Sequence, residues 1–456
     1  MSRVVVIGAG IAGVSTAHRL VVHHGMRDVI MVDEREPMSL TSRVGTQAYR
    51  NWWPGPDDTM VRFMSRSIDL LDELAARTNN AIRMNRRGYV FLTADPARVA
   101  SFREQGRLLE SLGAGPFREH GGGETYRAST GVDGSRGGDG IPVDGADLVT
   151  SRAAVRVAYP FITPDVTAML HARRCGWLDG AKLGWRMIGE AVDAAAVLVG
   201  DRCIGFDVES GRLRAVRMAS GNRIECDTCV LAPGPMLPGL ARMLGLELPV
   251  FNELHAKLTL PDPERAVPQD APLMIWCDPQ RLEWTDAERR ALAAEPGAAS
   301  VIGELPAGVH FRVRDREDGQ ALLVIWTFHA PVEEPQFPPS FPSWMAETLA
   351  RGVARMVPAL RTWRGKTHPE WVDGGYYCKT RENRPLIGRL PVEGAYVIAA
   401  LSGFGLMAAQ AAAELVAAHV MGTTLPEYAE AFSPDRYRSA EYQARLPALE
   451  RAGGQL

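Results

Sequence analysis

Residues 3–20 read RVVVIGAGIAGVSTAHRL. The run from Val4 to Ile7 is the short continuous apolar stretch of a strand buried on both faces, and the residues after Gly10 recur at helical spacing. Between the two, Gly8, Gly10 and Gly13 make G-x-G-x-x-G, with Ile11 and Ala12 inside the motif. The glycines allow a tight turn, close backbone approach to a pyrophosphate and close helix packing, while the helix N-terminus offers free N–H groups and positive dipole. The next strand is read from DVIMVDE, residues 28–34, which ends on Asp33 and Glu34. Asp33 lies twenty residues after Gly13, the distance at which an acid accepts hydrogen bonds from a ribose diol. This pattern predicts a dinucleotide site but does not separate FAD from NAD. The alternative is a glycine-rich turn in a generic α/β protein.

The rest of the composition narrows the class. A chain of 456 residues, 46% hydrophobic and 23% charged, is long enough to bury a large core in two or three domains. Its net charge of -3 lacks the basic excess that nucleic acid demands, so no nucleic-acid partner is expected. The six cysteines, at 175, 203, 226, 229, 277 and 378, are spread as in a reduced cytoplasmic protein. Cys226 and Cys229 form a lone C-x-x-C with no second pair nearby, so no metal is expected. The first twenty residues lack the positive start and cleavage site of a signal peptide. Residues 395–420 carry one charge, Glu414, over a length that would cross a bilayer, but Ser402, Gly403 and Gly405 interrupt them as a strand-to-helix turn does. A buried core helix is expected, and no membrane partner.

Along the chain, helices are predicted at 58–77, where Met60, Phe63, Met64, Ile68, Leu71 and Leu74 share a face, at 181–196 and at 285–294. AVLVGDRCIGFDV and ECDTCVLAPG read as strands, with a hairpin through Gly211 and Gly221. Residues 113–145 hold eleven glycines in 33 positions without periodicity and read as a loop, either a surface insertion or a lid. From 237 to 377 the alternating runs HAKLTL, GVHFRV and ALLVIWTFH predict an antiparallel sheet.

The carboxyl-terminal motif decides the cofactor. Residues 381–416, RENRPLIGRLPVEGAYVIAALSGFGLMAAQAAAELV, read as an irregular segment, a hairpin strand and a helix opening at SGFG. Such a helix N-terminus suits the negative charge that develops on a flavin ring, a second site that NAD does not need. With LAPGP at 231–235 and RPLIG at 384–388, the chain resembles the D-amino acid oxidase (DAO) superfamily of flavoproteins, in particular its glycine oxidase and sarcosine oxidase branch. The resemblance spans nearly the whole length and is weakest at 90–150 and 255–345. It implies an α/β fold with a Rossmann-type, glutathione-reductase-like FAD domain and an antiparallel-sheet substrate domain. The expected FAD domain is 1–84, 150–236 and 378–456, and the substrate domain is 85–149 and 237–377.

Residue by residue, the resemblance implies that Gly8, Gly10, Ile11, Ala12, Gly13, Asp33 and Glu34 serve the ADP half of FAD. Ser42 and Arg43 approach the pyrophosphate and flavin, the Cys203 backbone meets adenine, Gly234 belongs to the LAPGP strand end, and Gly403, Phe404, Gly405, Leu406 and Met407 lie near the flavin pyrimidine. A helix cap and a surface charge are the alternative for Ser42 and Arg43. In TSRVGTQAYR, residues 41–50, Arg50 matches the arginine that faces the substrate carboxylate in sarcosine oxidases, given a one-residue gap. Framed by Tyr49, Trp52 and Trp53, a guanidinium there is partly desolvated, and its bond to a carboxylate is worth ~1.5–3 kcal/mol. A structural ion pair or a cation stacked on tryptophan is the alternative.

The chain also departs from the family. Met407 stands where sarcosine oxidases have a lysine, and Tyr377 where glycine oxidases have an arginine, which implies a larger or more apolar amine such as an N-substituted glycine. Gly375 occupies the position of a flavin-linking cysteine, with Cys378 three residues on, so non-covalent FAD is expected. Tyr376 and Tyr377 are candidates to line the site. His255, His310 and His329 read as strand residues and not as bases. The implied reaction is hydride transfer from an amine to flavin, imine hydrolysis and reduction of O2 to hydrogen peroxide. A dehydrogenase with an electron-transfer partner, a flavin monooxygenase and a non-enzymatic flavoprotein-like subunit are the rivals.

Overall fold

The computed structural model describes residues 3–121, 126–129, 141–316 and 319–452. Two sheets dominate. The first has six strands in the order Leu386–Arg389, Ala395–Ala399, Thr228–Leu231, Val4–Ile7, Val29–Asp33 and Val197–Gly200, all parallel except the antiparallel Leu386–Arg389 edge. Val4, Val5 and Val6 at its centre are fully buried, as a strand covered on both faces requires. One layer of helices, Ile11–His18, Thr59–Arg77, Gly180–Asp193 and Gly405–Met421, packs on this sheet. Gly405–Met421 passes the length and hydropathy test for a membrane span over Ser402–Met421, yet 61% of its apolar window is buried inside the protein. It packs against Ile11–His18 and Thr59–Arg77, and its alanines permit that close approach.

The second sheet has nine strands: Val372–Lys379, Phe251–Pro261, Gly319–Ile325, His310–Arg316, Leu273–Trp276, Tyr89–Thr93, Ala168–Ala172, Ala146–Val149 and Phe117–His120. It is antiparallel except where Leu273–Trp276 meets Tyr89–Thr93 and where Phe117–His120 meets Ala146–Val149. Its faces differ because side chains alternate. Val90, Met274, Phe311 and Val324 point one way, into a core shared with the helix Met345–Met356. Tyr89, Phe91, Leu273 and Ile275 point the other way, into the core shared with the first sheet's helices.

The structure redraws several expected boundaries. Ala168–Ala172 joins the nine-stranded sheet, so the polypeptide stays in the substrate domain beyond residue 150 and crosses back only after that strand. The run AVLVGDRCIGFDV divides into Val197–Gly200 and Cys203–Glu209, which belong to different sheets, because Asp201 turns the chain. ECDTCVLAPG likewise divides at Cys226, and the hairpins at Gly211 (φ +78°) and Gly221 (φ +88°) are present. Within 113–145, Phe117–His120 is an edge strand; 122–125 and 130–140, where a lid was considered, lie outside the described residues.

The irregular segment after Lys379 is clamped from below. The Glu382 carboxylate, fully buried, accepts from Arg436 Nη2 at 2.7 Å and from the hydroxyls of Tyr437 and Tyr442 at 2.6 and 2.9 Å. Arg436 also donates to the carbonyls of Arg384 and Pro385, tying the carboxyl-terminal turns to the RPLIG segment.

Candidate active site

The G-x-G-x-x-G turn is built to a tolerance that excludes side chains. Gly8 has φ +106°, and a Cβ there would lie 2.4 Å from the Ala232 carbonyl oxygen; one on Gly13 would lie 1.8 Å from the Gly8 carbonyl oxygen. A Cβ on Gly10 would sit 3.3 Å from the Ser42 hydroxyl. The Asp33 carboxylate accepts from Ala9 N–H at 2.7 Å and Arg35 N–H at 3.0 Å, which locks the turn to the end of its strand. The Ser42 hydroxyl accepts from Ile11 N–H at 3.0 Å, at the positive end of the first helix.

These groups line a cavity of 540 Å³ between the two sheets. Gly8, Gly10, Ile11, Ala12, Asp33, Glu34, Ser42, Cys203, Gly234, Tyr376, Tyr377, Gly403, Gly405 and Leu406 all face it. Gly13, Phe404, Met407 and Arg50 are buried behind its walls, and Arg43 is exposed outside the lining. Thr41 and Gln47, which the sequence reading did not single out, line it as well. The Thr41 hydroxyl donates to the Tyr376 carbonyl at 2.9 Å, joining the amino-terminal segment to the substrate sheet. At the far end Ala400 and Ser402 hold left-handed backbone, φ +53° and +50°, to turn the strand Ala395–Ala399 into the helix Gly405–Met421. Non-glycine residues in that region store local strain, which recurs at ligand clamps.

A glycine cradle closed to any Cβ, a carboxylate at the neighbouring strand end and a second helix N-terminus across the cavity fit FAD. The family model for FAD-dependent oxidoreductases named DAO matches residues 3–419. The chain belongs to the DAO family of FAD-dependent oxidoreductases. No curated protein matches the sequence significantly. Among solved structures, L-proline dehydrogenase from P. horikoshii is 20% identical at a TM-score of 0.71, covering 96% of this chain and 98% of that one. Iminodiacetate oxidase from Chelativorans sp. BNC1 is 19% identical at 0.68, over 95% and 99%. Glycine oxidase from Bacillus cereus ATCC 14579 is 13% identical at 0.68, over 95% and 97%. At these identities the likeness is one of fold.

In this DAO-family protein Arg50 ends the short strand Ala48–Arg50, opposite Cys175. It is 6% exposed, and burial lowers its pKa. Its guanidinium lies 4.3 Å from the Trp53 ring centre, and Trp53 returns an indole N–H to the Arg50 carbonyl at 3.1 Å. Trp53 in turn meets Phe404 edge-on at 5.0 Å, linking this arginine to the SGFG turn. Among the described residues Arg50 has no carboxylate partner and no side-chain hydrogen bond, yet none of its nitrogens is sealed from water. The stacked-cation alternative therefore describes its packing, while its charge stays unneutralised.

Tyr376 and Tyr377 divide their roles. Tyr376 donates its hydroxyl to Glu333 at 2.9 Å and accepts from Gln336 N–H, so that hydroxyl is already engaged. Tyr377 stacks on His255 at 4.1 Å, and burial pushes its phenol up to about 12. Cys378 lines the cavity, its thiol also pushed up to about 12 by burial, which disfavours the thiolate. Among the described residues no group of three or more His, Cys, Asp or Glu is placed to hold a metal.

His255 and His310 lie buried in strands, whereas His329 follows its strand in an irregular segment near Trp344. His310 Nδ1 faces the Gly308 carbonyl at 2.9 Å; a carbonyl only accepts, so Nδ1 carries the proton and Nε2 keeps a lone pair. Burial lowers its pKa to about 4, with Arg50 adding to the effect. The unfolded chain takes up this proton near the ordinary 6.5, before the folded one does. The stability from the neutral ring is thus present above 6.5 and is lost as pH falls through 6.5 toward 4. His310→Gln is expected to flatten the slope of Tm against pH in that window; a slope equal to that of the parent protein would refute the assignment.

Proposed function

We propose that this protein oxidises the C–N bond of an amine bearing an α-carboxylate, a secondary, N-substituted glycine-like amine, in the manner of a glycine or sarcosine oxidase. The observation that carries the reading is Arg50: a buried guanidinium that no anion from the described residues neutralises, two residues along its strand from Ala48, which lines the cavity. Maintaining such a charge is unfavourable unless a ligand completes it. The substrate carboxylate fills that place, and the guanidinium, held 4.3 Å from the Trp53 ring centre, fixes its orientation. Trp53 and Phe404 keep water from the back of the site. Met407, apolar where sarcosine oxidases carry a lysine, leaves room for an apolar or larger substituent on nitrogen. FAD, when bound by the glycine turn, Ser42 and the SGFG turn, would supply the two-electron acceptor for the hydride lost from the α-carbon of the neutral amine, with O2 as the final oxidant, reduced to hydrogen peroxide, and water hydrolysing the imine to carbonyl and amine.

FAD is held without a covalent bond in this reading: Gly375 stands at the linking position, where a Cβ would lie 2.9 Å from Val44, and the Cys378 thiol is kept protonated by burial. Acid precipitation is therefore expected to leave the yellow colour in the supernatant. The test of the activity is peroxide release across glycine, sarcosine, N-alkyl glycines, N-carboxyalkyl amino acids and D- and L-amino acids. Turnover is expected with secondary amines carrying a carboxylate. Consumption of NADPH in place of amines would favour a monooxygenase. Because L-proline dehydrogenase shares the fold, anaerobic reduction followed by air distinguishes an oxidase from a dehydrogenase by the speed of reoxidation.

A further inference from the structure

The outer face of the helix Gly180–Asp193 carries features that nothing else among the described residues uses. Trp185 and Val192, seven residues apart and so on one face, stand 48% and 47% exposed. Between them Gly189 is exposed, and a Cβ there would meet nothing within 4 Å. A glycine inside a helix is less stable than an alanine, and no neighbour in the chain requires one at this place. Gly184, on the inner side, differs: a Cβ there would lie 2.7 Å from Met38. The apolar exposure continues past the turn at 194–196 to Val197, 52% exposed on the strand Val197–Gly200, the outermost strand of the six-stranded sheet.

The charges of this helix add a second, independent observation. Glu190 is held by His18 at 2.8 Å and by Arg77 and Arg186 at 2.6 Å each. Lys182 and Asp193, both exposed, form no ion pair among the described residues. Each also has the wrong sign for its place. Lys182 lies in the first turn, at the positive end of the helix dipole, and Asp193 closes the last turn, at the negative end. In a lone chain both are unfavourable; beside the same helix running the other way, both become favourable.

We propose that this face binds a second copy of the chain about a two-fold axis, with the two Gly180–Asp193 helices packed antiparallel. Lys182 and Asp193 are separated by about 16 Å along the helix, and reversing the helix about its middle, near Ile188, brings each onto the other in the second copy. The same reversal sets Trp185 beside Gly189 of the second copy, where the missing side chain lets the indole approach the backbone. A two-fold interface makes every contact twice, so both charge pairs and both indoles are accommodated at once. The partner is a copy of this chain because one helix carries both signs in the order that its own reverse requires.

The test is the mass of the FAD-loaded protein by analytical ultracentrifugation across the micromolar range. The parent protein is expected to sediment at twice the monomer mass of 49.7 kDa. Lys182→Glu and Asp193→Lys each set like charges together at both ends of the interface, and each variant alone is expected to dimerise at least about tenfold more weakly. Neither threatens folding, since each corrects the sign at its end of the helix, and an unchanged visible flavin spectrum verifies it. An equal mixture of the two variants is expected to regain the parent affinity, because the mixed dimer pairs opposite charges at both ends. A parent protein that stays at 49.7 kDa throughout, single variants as tight as the parent, or a mixture no tighter than its components overturns the antiparallel interface.

Discussion

A single methyl group at Gly13 is expected to strip the protein of FAD. The Cβ of Gly13→Ala would lie 1.8 Å from the Gly8 carbonyl oxygen, 3.0 Å from its carbon and 3.3 Å from a Val6 methyl. Overpacking against side chains costs ~1–3 kcal/mol because rotamers give way. Here the obstacle is backbone, held by Gly8 N–H on the Val32 carbonyl at 2.8 Å and by the Asp33 bond to Ala9. The helix must tilt off the turn, which carries its free N–H groups away from a pyrophosphate. Gly13→Ala is expected to purify colourless, with FAD affinity reduced at least ~100-fold and stability lowered by ~3 kcal/mol, the upper end of that range. Gly189→Ala is the control, since nothing lies within 4 Å of a Cβ there and it sits on an exposed helix face. A yellow Gly13→Ala protein with the parent spectrum would remove the dinucleotide reading of the turn.

Arg50→Met is expected to move affinity and stability in opposite directions. Losing a buried guanidinium–carboxylate bond should weaken binding of carboxylated amines by ~1.5–3 kcal/mol, a rise in KM of roughly 10- to 100-fold. In the ligand-free protein the same side chain is a desolvated cation whose pKa burial has lowered and which no described carboxylate neutralises. Replacing it with an apolar side chain of similar length removes that penalty, so Tm should hold steady or rise. Were Arg50 a structural ion pair, Arg50→Met would lower Tm and leave KM alone. Only the combination of raised KM and undiminished Tm agrees with a ligand anchor; the pair of measurements separates the two roles without knowledge of the natural amine.

Contiguity explains how much of this was legible beforehand. The glycine turn, Asp33 twenty residues later and the SGFG turn are local patterns whose chemistry lies within a few residues, so the fold class and the cofactor could be read from them. The helix Thr59–Arg77 was legible for the same reason: its apolar spacing reports a face. Asp286–Ala294 was legible as a short charged helix. Ala168–Ala172 was misassigned because an apolar run does not name its sheet; pairing with Tyr89–Thr93 decides that. His329 was placed in a strand because the apolar run ALLVIWTFH has no break, yet the strand ends at Ile325 and the chain turns at Thr327 and Phe328.

The sequence by itself determined a Rossmann-type half, which rests on short-range backbone geometry that residue type dictates; the flavin and one candidate anchor came with the family resemblance that the terminal motifs carry. Tertiary structure decided which charges go unneutralised. In TQAYRNWW, Arg50 looks like any strand arginine; whether a carboxylate lies opposite depends on strands and turns far away in the chain. Charge compensation in a buried site is a sum over everything that folds around it, and no stretch of chain contains that sum.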